Sequence, residues 1–254
     1  MSYMMYKELS KRISKLIKSL QIKKYRKQEH SFFVEGAKNT EEILSTGYKV
    51  TVLVGTADYL DSIAELIAKH PEMEVFVADE KQLGALGTFA TNNAAIAVAE
   101  QKDFEQPSLD EQEFALVLDD VRDPGNLGTI IRIADWYGIK KIIASPNTAD
   151  FHNPKVLNAS MGSFSRVSIH YTALPEFLAA QQAPIYGALL EGDNIYNERF
   201  DQGGFVIMGN ESIGISDAVK PFITHQIHIP RIGGAESLNV AIATAVICDN
   251  IRRP

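Results

Sequence analysis

Apolar residues recur with two different periods along the chain, and the change from one to the other marks out its elements. "YKELSKRISKLIKSL" carries Leu9, Ile13, Leu16, Ile17 and Leu20 at three- and four-residue intervals with lysines between, which predicts an amphipathic helix. From Ser31 short apolar runs alternate with helical periods. "SFFVEG", "KVTVLVG", "EVFVAD" and "AAIAVAE" read as strands, and "AKNTEEILSTG", "DYLDSIAELIAKH" and "EKQLGALG" as helices. The charged stretch "QKDFEQPSLDEQE" then interrupts the alternation and predicts a linker over residues 101–112. Beyond it, "FALVLDDV", "KKIIAS", "RVSIHY", "IYGALLEG", "GGFVIMGNE" and "HQIHIP" read as strands. "GNLGTIIRIADWYG", "NPKVLNASMGSFS", "ALPEFLAAQQ", "SDAVKPFI" and a closing alanine-rich helix from Ser237 lie between and after them. These strands are almost wholly apolar, as in a parallel sheet covered on both faces. The expected fold class is α/β: a small α/β domain over residues 1–100 and a Rossmann-like α/β domain over 113–254.

Charge changes this picture at one end. The 254 residues carry a net −7, yet residues 1–27 hold nine Lys/Arg against the single acid Glu8, a net +8 that leaves the remainder at −15. Such asymmetry points to a basic element that meets phosphate, with Lys23, Lys24, Arg26 and Lys27 as its candidate residues. A plain solvated helix face is the other reading. The lone Cys248 excludes an internal disulfide, and the six dispersed histidines make no ligand set, so no metal is expected. No apolar run approaches the ~20 residues of a membrane span. The lysine-studded N-terminus lacks a secretory cleavage site. A cytoplasmic protein away from membranes is the expectation.

The candidate chemistry lies in the second half. No G-x-G-x-x-G, no phosphate-binding P-loop and no G-x-S-x-G elbow occurs. Instead, three strand-to-turn junctions are dense in Gly, Asn and Pro: "LDDVRDPGNLGTIIR", "FVIMGNESIGIS" and "IPRIGGAESLNVAIATA". Asp123 or Asn126 is placed to cap the helix of the first, and Ser237 and Asn239 that of the third. Arg132 interrupts a helix face of Ile130, Ile131 and Ile133, and Glu211 stands at the end of an apolar strand. Because an unpaired buried carboxylate is costly, Arg132 is the expected partner of Glu211. Ligands in open α/β sheets bind beyond the carboxyl ends of strands. Glycine-rich backbone there could grip a flat base, with Met208, Ile229 and Leu238 as apolar walls.

In this order and spacing the three junctions resemble the three motifs of the SpoU/TrmH family of RNA 2′-O-ribose methyltransferases, in the SPOUT superfamily. "NPKVLNASMGSFSRV" is similar to that family's Pro-Lys…Ser-Met-Gly…Arg segment, and "KYRKQEHSFFVEGAKNTEEILSTG" to the L30e-like substrate-binding domain of some members. The resemblance implies a deep trefoil knot in the domain over 113–254, a homodimer, and S-adenosylmethionine as cofactor. It implies further that the cofactor contacts come from Leu189, Met208, Gly209, Asn210, Ile229, Pro230, Leu238 and Asn239. Asn126, Arg132, Glu211, Ser237 and Asn239 match the family's catalytic positions, with Arg132 also against RNA. The L30e-like half favours 23S ribosomal RNA. Transfer RNA, or a non-catalytic RNA-binding or ribosome-assembly role, is the alternative.

A guanidinium keeps its proton in proteins, so a literal arginine base is chemically unsound. Arg132 is better placed to hold a phosphate and polarise the 2′-oxygen while phosphate or water takes the proton. The chain departs from the family pattern at Ala241, commonly serine, and at Arg231, where methionine is expected.

Overall fold

The computed structural model describes residues 6–89 and 91–253. They form two compact units, Met1–Asp103 with His152–Ser165, and Phe104–Phe151 with Arg166–Pro254.

The first unit contains strands β1 (Lys7–Glu8), β2 (Ser31–Glu35), β3 (Val50–Gly55), β4 (Glu74–Val77) and β5 (Ala95–Glu100). Their order is β1-β4-β3-β5-β2, parallel through β1, β4 and β3 and antiparallel where β5 meets β3 and β2. The expected basic helix forms at Lys11–Ser19, entered through Ser10, whose side chain accepts from the Ile13 amide. Ile13, Ile17 and Leu20 are buried with Phe33, Val54 and Phe76, while Lys11, Lys15 and Lys18 face solvent. The apolar stripe therefore makes the core of this unit, and the lysines are left for other work.

Three elements differ from expectation. β1 had no signal of its own; two residues are too few for an alternation to register. The helix expected over "DYLDSIAELIAKH" breaks at Ile63 into Ala57–Ser62 and Ala64–Ile67. Residues 23–28 form a separate helix, Lys23–Gln28, and there Arg26 proves not to face outward. It is only 2% exposed, and its Nη1 donates to the carbonyl oxygens of Leu20 at 2.8 Å and Gln21 at 2.9 Å. Arg26 thus closes the end of the preceding helix and is removed from the RNA-facing set; Lys23, Lys24 and Lys27 remain exposed. Arg26→Met keeps the apolar stem but strips these charge-assisted bonds, at about 1.5–3 kcal/mol. Thermal denaturation should show the loss at about 2–4 °C per kcal/mol, with Lys23→Met unchanged beside it.

Residues 152–165 belong to this first unit although they fall between two strands of the second. Their helix, Pro154–Ser160, is capped by Asn153, whose side chain accepts from the Lys155 amide. Asn158 Nδ2 donates to Glu35 Oε1 at 2.9 Å. Glu35 is buried, and its carboxylate also accepts from the Thr88 hydroxyl and the Thr88 and Phe89 amides. Met161 closes the helix in the left-handed conformation, and Gly162 follows at φ +91°, where a β-carbon would lie 2.6 Å from Glu42 Cγ.

The second unit holds β6 (Phe114–Leu118), β7 (Lys141–Ala144), β8 (Ser168–Tyr171), β9 (Ile185–Asn194), β10 (Gly204–Met208) and β11 (His225–His228), all parallel in the order β11-β9-β10-β6-β7-β8. Val117, Ile143, Ile185, Ile207 and Phe205 fill its core, where the rings of Phe177 and Phe205 meet edge to face at 5.4 Å. "SDAVKPFI" forms only the single tight turn Lys220–Phe222, since Pro221 interrupts so short a helix. Cys248 is buried in the closing helix, and burial pushes its thiol up to about 12, as befits an inert spacer.

Candidate functional site

Strand order creates the site. From β6 the chain builds outward through β7 and β8 on one side, then returns to lay β10 against the other edge of β6. The carboxyl ends of β6 and β10 therefore flank a topological switch point, where a crevice opens in a parallel sheet. Leu118 pairs with Met208 in register, so the first and second junctions leave the sheet side by side.

Polar groups bind these two exits together. The Asp119 amide donates to the Met208 carbonyl oxygen at 2.9 Å, and buried Asp119 accepts the Ser216 amide at 2.7 Å. Asn210 Nδ2 donates to the Asp120 carbonyl oxygen at 2.7 Å, while its Oδ1 accepts the Ser212 and Ile213 amides. Asn210 and Gly214 exchange backbone hydrogen bonds of 3.0 and 2.9 Å. This brings the turn so close to Gly209 that a β-carbon there would lie 2.2 Å from the Gly214 carbonyl carbon.

The helix Pro124–Trp136 starts at Asp123, whose carboxylate caps the Asn126 amide at 2.7 Å, with Pro124 in the first turn. Asn126 is thereby free to use its side chain elsewhere. Its Nδ2 donates to Glu211 Oε1 at 3.0 Å, and its Oδ1 accepts Asn239 Nδ2 at 2.9 Å. Asn239 caps the helix Val240–Arg252 through Oδ1, which takes the Ala241 and Ile242 amides. With both lone-pair directions of that oxygen engaged, Asn239 Nδ2 must point to Asn126, and Asn126 Nδ2 to Glu211. One continuous chain, Asn239 to Asn126 to Glu211, joins the three junctions.

Two expectations are corrected here. Glu211 is exposed, not buried, and its partners are Asn126 and, more weakly, the Asp123 amide at 3.4 Å; Arg132 is not among them. Without burial there is no desolvation cost that an arginine must offset. Arg132 is solvent-exposed and, among the described residues, makes no hydrogen bond or ion pair. The closing helix begins at Val240, not Ser237, and Asn239 alone caps it. Ser237 lies exposed and makes no hydrogen bond among the described residues.

Met208 ends β10 and is buried, Gly209 and Asn210 are half-buried in the turn, and Leu238 is half-exposed. Ile229 and Pro230 are half-buried just beyond β11. Leu189 lies where the β9–β11 register jumps from Gly187↔Gln226 to Asp193↔Ile227, and it packs on the core of the unit. Residues 231–238 are exposed, and among the described residues they make no backbone–backbone hydrogen bond. Apart from the Ala235 carbonyl oxygen, which accepts Arg231 Nη1 at 3.3 Å, their amides and carbonyls are thus uncommitted among the described residues.

The sequence pattern did not single out Asp120 and Arg122. Asp120 sits at φ +60°, a conformation that side chains rarely adopt. It accepts Ser145 Oγ at 2.6 Å and Arg122 Nη2 at 2.7 Å. Burial works against the charged form of its carboxyl, but hydrogen bonds from Ser145, Arg122 and Asn147 outweigh it and hold the pKa below the usual carboxylate range. The acid-rich "LDDVRD" was the only available signal, and it did not distinguish one acid from another. Beside this pair opens a cleft of about 600 Å³ lined by Arg122, Asp123, Pro124, Asn210, Glu211, Ser212 and Ile213.

Residues 113–249 match the SpoU rRNA Methylase family and residues 11–97 the MRM3-like substrate binding domain. The chain belongs to the SpoU rRNA methylase family. Both ends of the side-chain amide relay, Glu211 and Asn239, fall within the SpoU match. A 23S rRNA (guanosine(2553)-2′-O)-methyltransferase of Bacillus subtilis, RlmP, is 31% identical over 92% of this chain and 94% of its own. An AdoMet-bound rRNA methyltransferase from Sinorhizobium meliloti superposes with a TM-score of 0.86 at 29% identity, over 97% of this chain and 96% of its own. A TrmH-family protein from Porphyromonas gingivalis reaches 0.84 at 36% identity, over 96% and 98%. The SpoU match includes residues 152–165, which pack in the first unit.

Proposed function

We propose that this protein transfers the methyl group of S-adenosylmethionine to a ribose 2′-oxygen of structured RNA, with 23S ribosomal RNA as the substrate. The chain from Asn239 through Asn126 to Glu211, with the unpartnered Arg132 on the same helix as Asn126, carries the reading. The 31% identity to RlmP and the substrate-binding match over residues 11–97 favour ribosomal RNA.

The residues fit the cofactor. Uncommitted backbone groups of 231–238 suit a purine and an amino-acid moiety, and Leu189, Met208, Ile229, Pro230 and Leu238 supply apolar surface. Gly209, Asn210 and Asn239 would hold it from the other junctions. When bound, S-adenosylmethionine supplies a methyl group already activated by its sulfonium charge. What remains for the protein is alignment and disposal of a proton. Arg132 has its guanidinium free to take a phosphate of the substrate and polarise the 2′-hydroxyl, whose proton passes to phosphate or water. Asn126, fixed in orientation by Asn239, positions Glu211 beside that hydroxyl. Ser237, exposed in the third junction, is left free to bond substrate or cofactor.

In this reading residues 1–100 hold the RNA, 101–112 form a linker and 113–254 form the knotted catalytic domain, acting in the cytoplasm. The domain works as a homodimer: Trp136, 84% exposed, and Ile242, 54% exposed, stand on two helices that pack together. Sedimentation should show a dimer that Trp136→Glu weakens; a monomeric wild-type protein would remove this part of the proposal.

The deciding assay offers methyl-labelled S-adenosylmethionine with unmodified ribosomal and transfer RNA in separate reactions. Alkali-resistant 2′-O-methyl label in ribosomal RNA, absent with Arg132→Ala, is expected. Label in transfer RNA alone would change the substrate, and cofactor binding without transfer to either would favour an assembly role. Lys23, Lys24 and Lys27 meet phosphates in this scheme. Replacing all three with alanine should flatten the dependence of log K on log salt by roughly one unit for each phosphate no longer neutralised. An unchanged slope in a binding titration would leave them as plain surface charge.

A further inference from the structure

We propose that the cleft bounded by Arg122 and Ile213 is the seat of an unstacked RNA nucleotide, and that Arg122 grips a pair of acceptor atoms on it. This rests on the methyl-transfer reading above, since the cleft shares Glu211 with the amide chain.

Arg122 is held ready for a ligand. Its Nη2 is bound to Asp120 at 2.7 Å, and among the described residues Nε and Nη1 have no protein partner. Asp120 is itself fixed. Its Oδ1 accepts Ser145 Oγ, its Oδ2 lies 3.4 Å from Asn147 Nδ2, and its amide donates to Ser145 Oγ at 2.9 Å. Ser145 is in turn within 3.0 Å of Thr148 Oγ1. A left-handed non-glycine residue persists only where its surroundings over-determine it, and such residues gather at functional sites. Here the strained residue orients one arginine. A surface ion pair contributes little to stability, so its use here is orientation.

The walls define the ligand. Ile213 is 72% exposed yet lines the cleft, where its side chain and the Pro124 ring offer an apolar face suited to a flat base. The second N–H of Nη2 and the parallel N–H of either Nε or Nη1 form a planar fork that matches two acceptors side by side. In RNA that means two phosphate oxygens or the N7/O6 edge of guanine. A cleft of about 600 Å³ admits one nucleotide, which must leave its stack before its ribose is reached.

The test combines kinetics with hydrogen exchange. Steady-state transfer to ribosomal RNA is measured for wild type, Arg122→Ala, Arg122→Lys and Ile213→Ala, alongside cofactor binding to each. The expected result is a fall of about 10-fold or more in kcat/KM for RNA with Arg122→Ala, carried by KM, at unchanged cofactor affinity. Lysine should not rescue, because it keeps the ion pair to Asp120 but loses the fork; rescue would mean a merely structural arginine. Separately, single-stranded RNA should slow amide exchange over 120–123 and 210–213 of wild type and not of Arg122→Ala. Protection without any methyl transfer would keep the cleft and sink the reaction. Transfer without protection, with Arg122→Ala within about twofold of wild type, would overturn the cleft. Replacing guanosine by 7-deazaguanosine identifies the acceptors. A loss of affinity marks the base edge, and unchanged affinity with a salt slope lower by about one in Arg122→Ala marks phosphate.

Discussion

Replacing Arg132 with lysine is expected to cut methyl transfer by about 10²-fold or more, with S-adenosylmethionine still bound normally. Arg132 is exposed on the helix Pro124–Trp136 and has no partner among the described residues, so nothing in the free protein consumes its donors. A group left uncommitted on the helix that carries Asn126, whose own side chain is engaged by Asn239 and Glu211, is available to the substrate. Lysine preserves the charge but replaces a planar, bidentate fork with a point charge that cannot hold a phosphate and a hydroxyl in fixed relation. Most of the loss should therefore fall on kcat. Single-turnover transfer with saturating RNA and cofactor separates the chemical step from binding. Near-normal turnover by the lysine variant would remove the bidentate role, and a loss confined to RNA affinity would reduce Arg132 to a docking residue. Because Arg132 makes no hydrogen bond or ion pair among the described residues, its replacement should leave the melting temperature unchanged.

Gly209→Ala should do the opposite, damaging stability and activity together. Its β-carbon would lie 2.2 Å from the Gly214 carbonyl carbon, 2.3 Å from the Ile215 nitrogen and 2.6 Å from the Gly214 oxygen. All three are backbone atoms, so no side chain can rotate away. Relief requires the 210–214 turn to move, which breaks the paired Asn210–Gly214 bonds, pulls Asn210 Nδ2 from the Asp120 carbonyl and displaces Glu211 from Asn126. Overpacking of this kind costs about 1–3 kcal/mol, sometimes more. At about 2–4 °C per kcal/mol, differential scanning calorimetry should register it clearly. Gly233→Ala is the control: its β-carbon would meet nothing within 4 Å, so stability should be unaltered. A Gly209→Ala protein as stable and active as wild type would mean that the turn does not approach β10 this closely in solution.

Local pattern was enough to read much of the molecule. The amphipathic stripe of Ile13, Ile17 and Leu20 forms the buried face it predicts, because a helix places residues three and four apart on one side whatever the rest of the chain does. The apolar runs of β6 and β10 likewise announce strands covered on both faces, since such a strand has no position left for a polar residue, and both are buried along their length. The three junctions were legible too, since Gly, Asn and Pro mark turns by their own backbone preferences. Boundaries were less so. Ser237 and Asn239 are equally good caps by type, and only the backbone decided for Asn239.

The sequence by itself determined which residues would stand at the ends of strands. It did not determine which of those ends would be neighbours. The placement of β10 beside β6, about 90 residues earlier in the chain, is a non-local choice of sheet order, and it alone makes Asn126 the partner of Glu211. Charge type suggested Arg132 for that carboxylate, on the premise that Glu211 would be buried. Its exposure, which no local pattern encodes, removed the need. Arg26 shows the same limit in reverse. Among nine basic residues in the first 27 it reads like the rest, and only the packing of two short helices turns it inward to bond the Leu20 and Gln21 carbonyls. Periodicity and turn chemistry are properties of a residue and its near neighbours. Burial, partner and strand order belong to the whole fold, and there the tertiary structure decided.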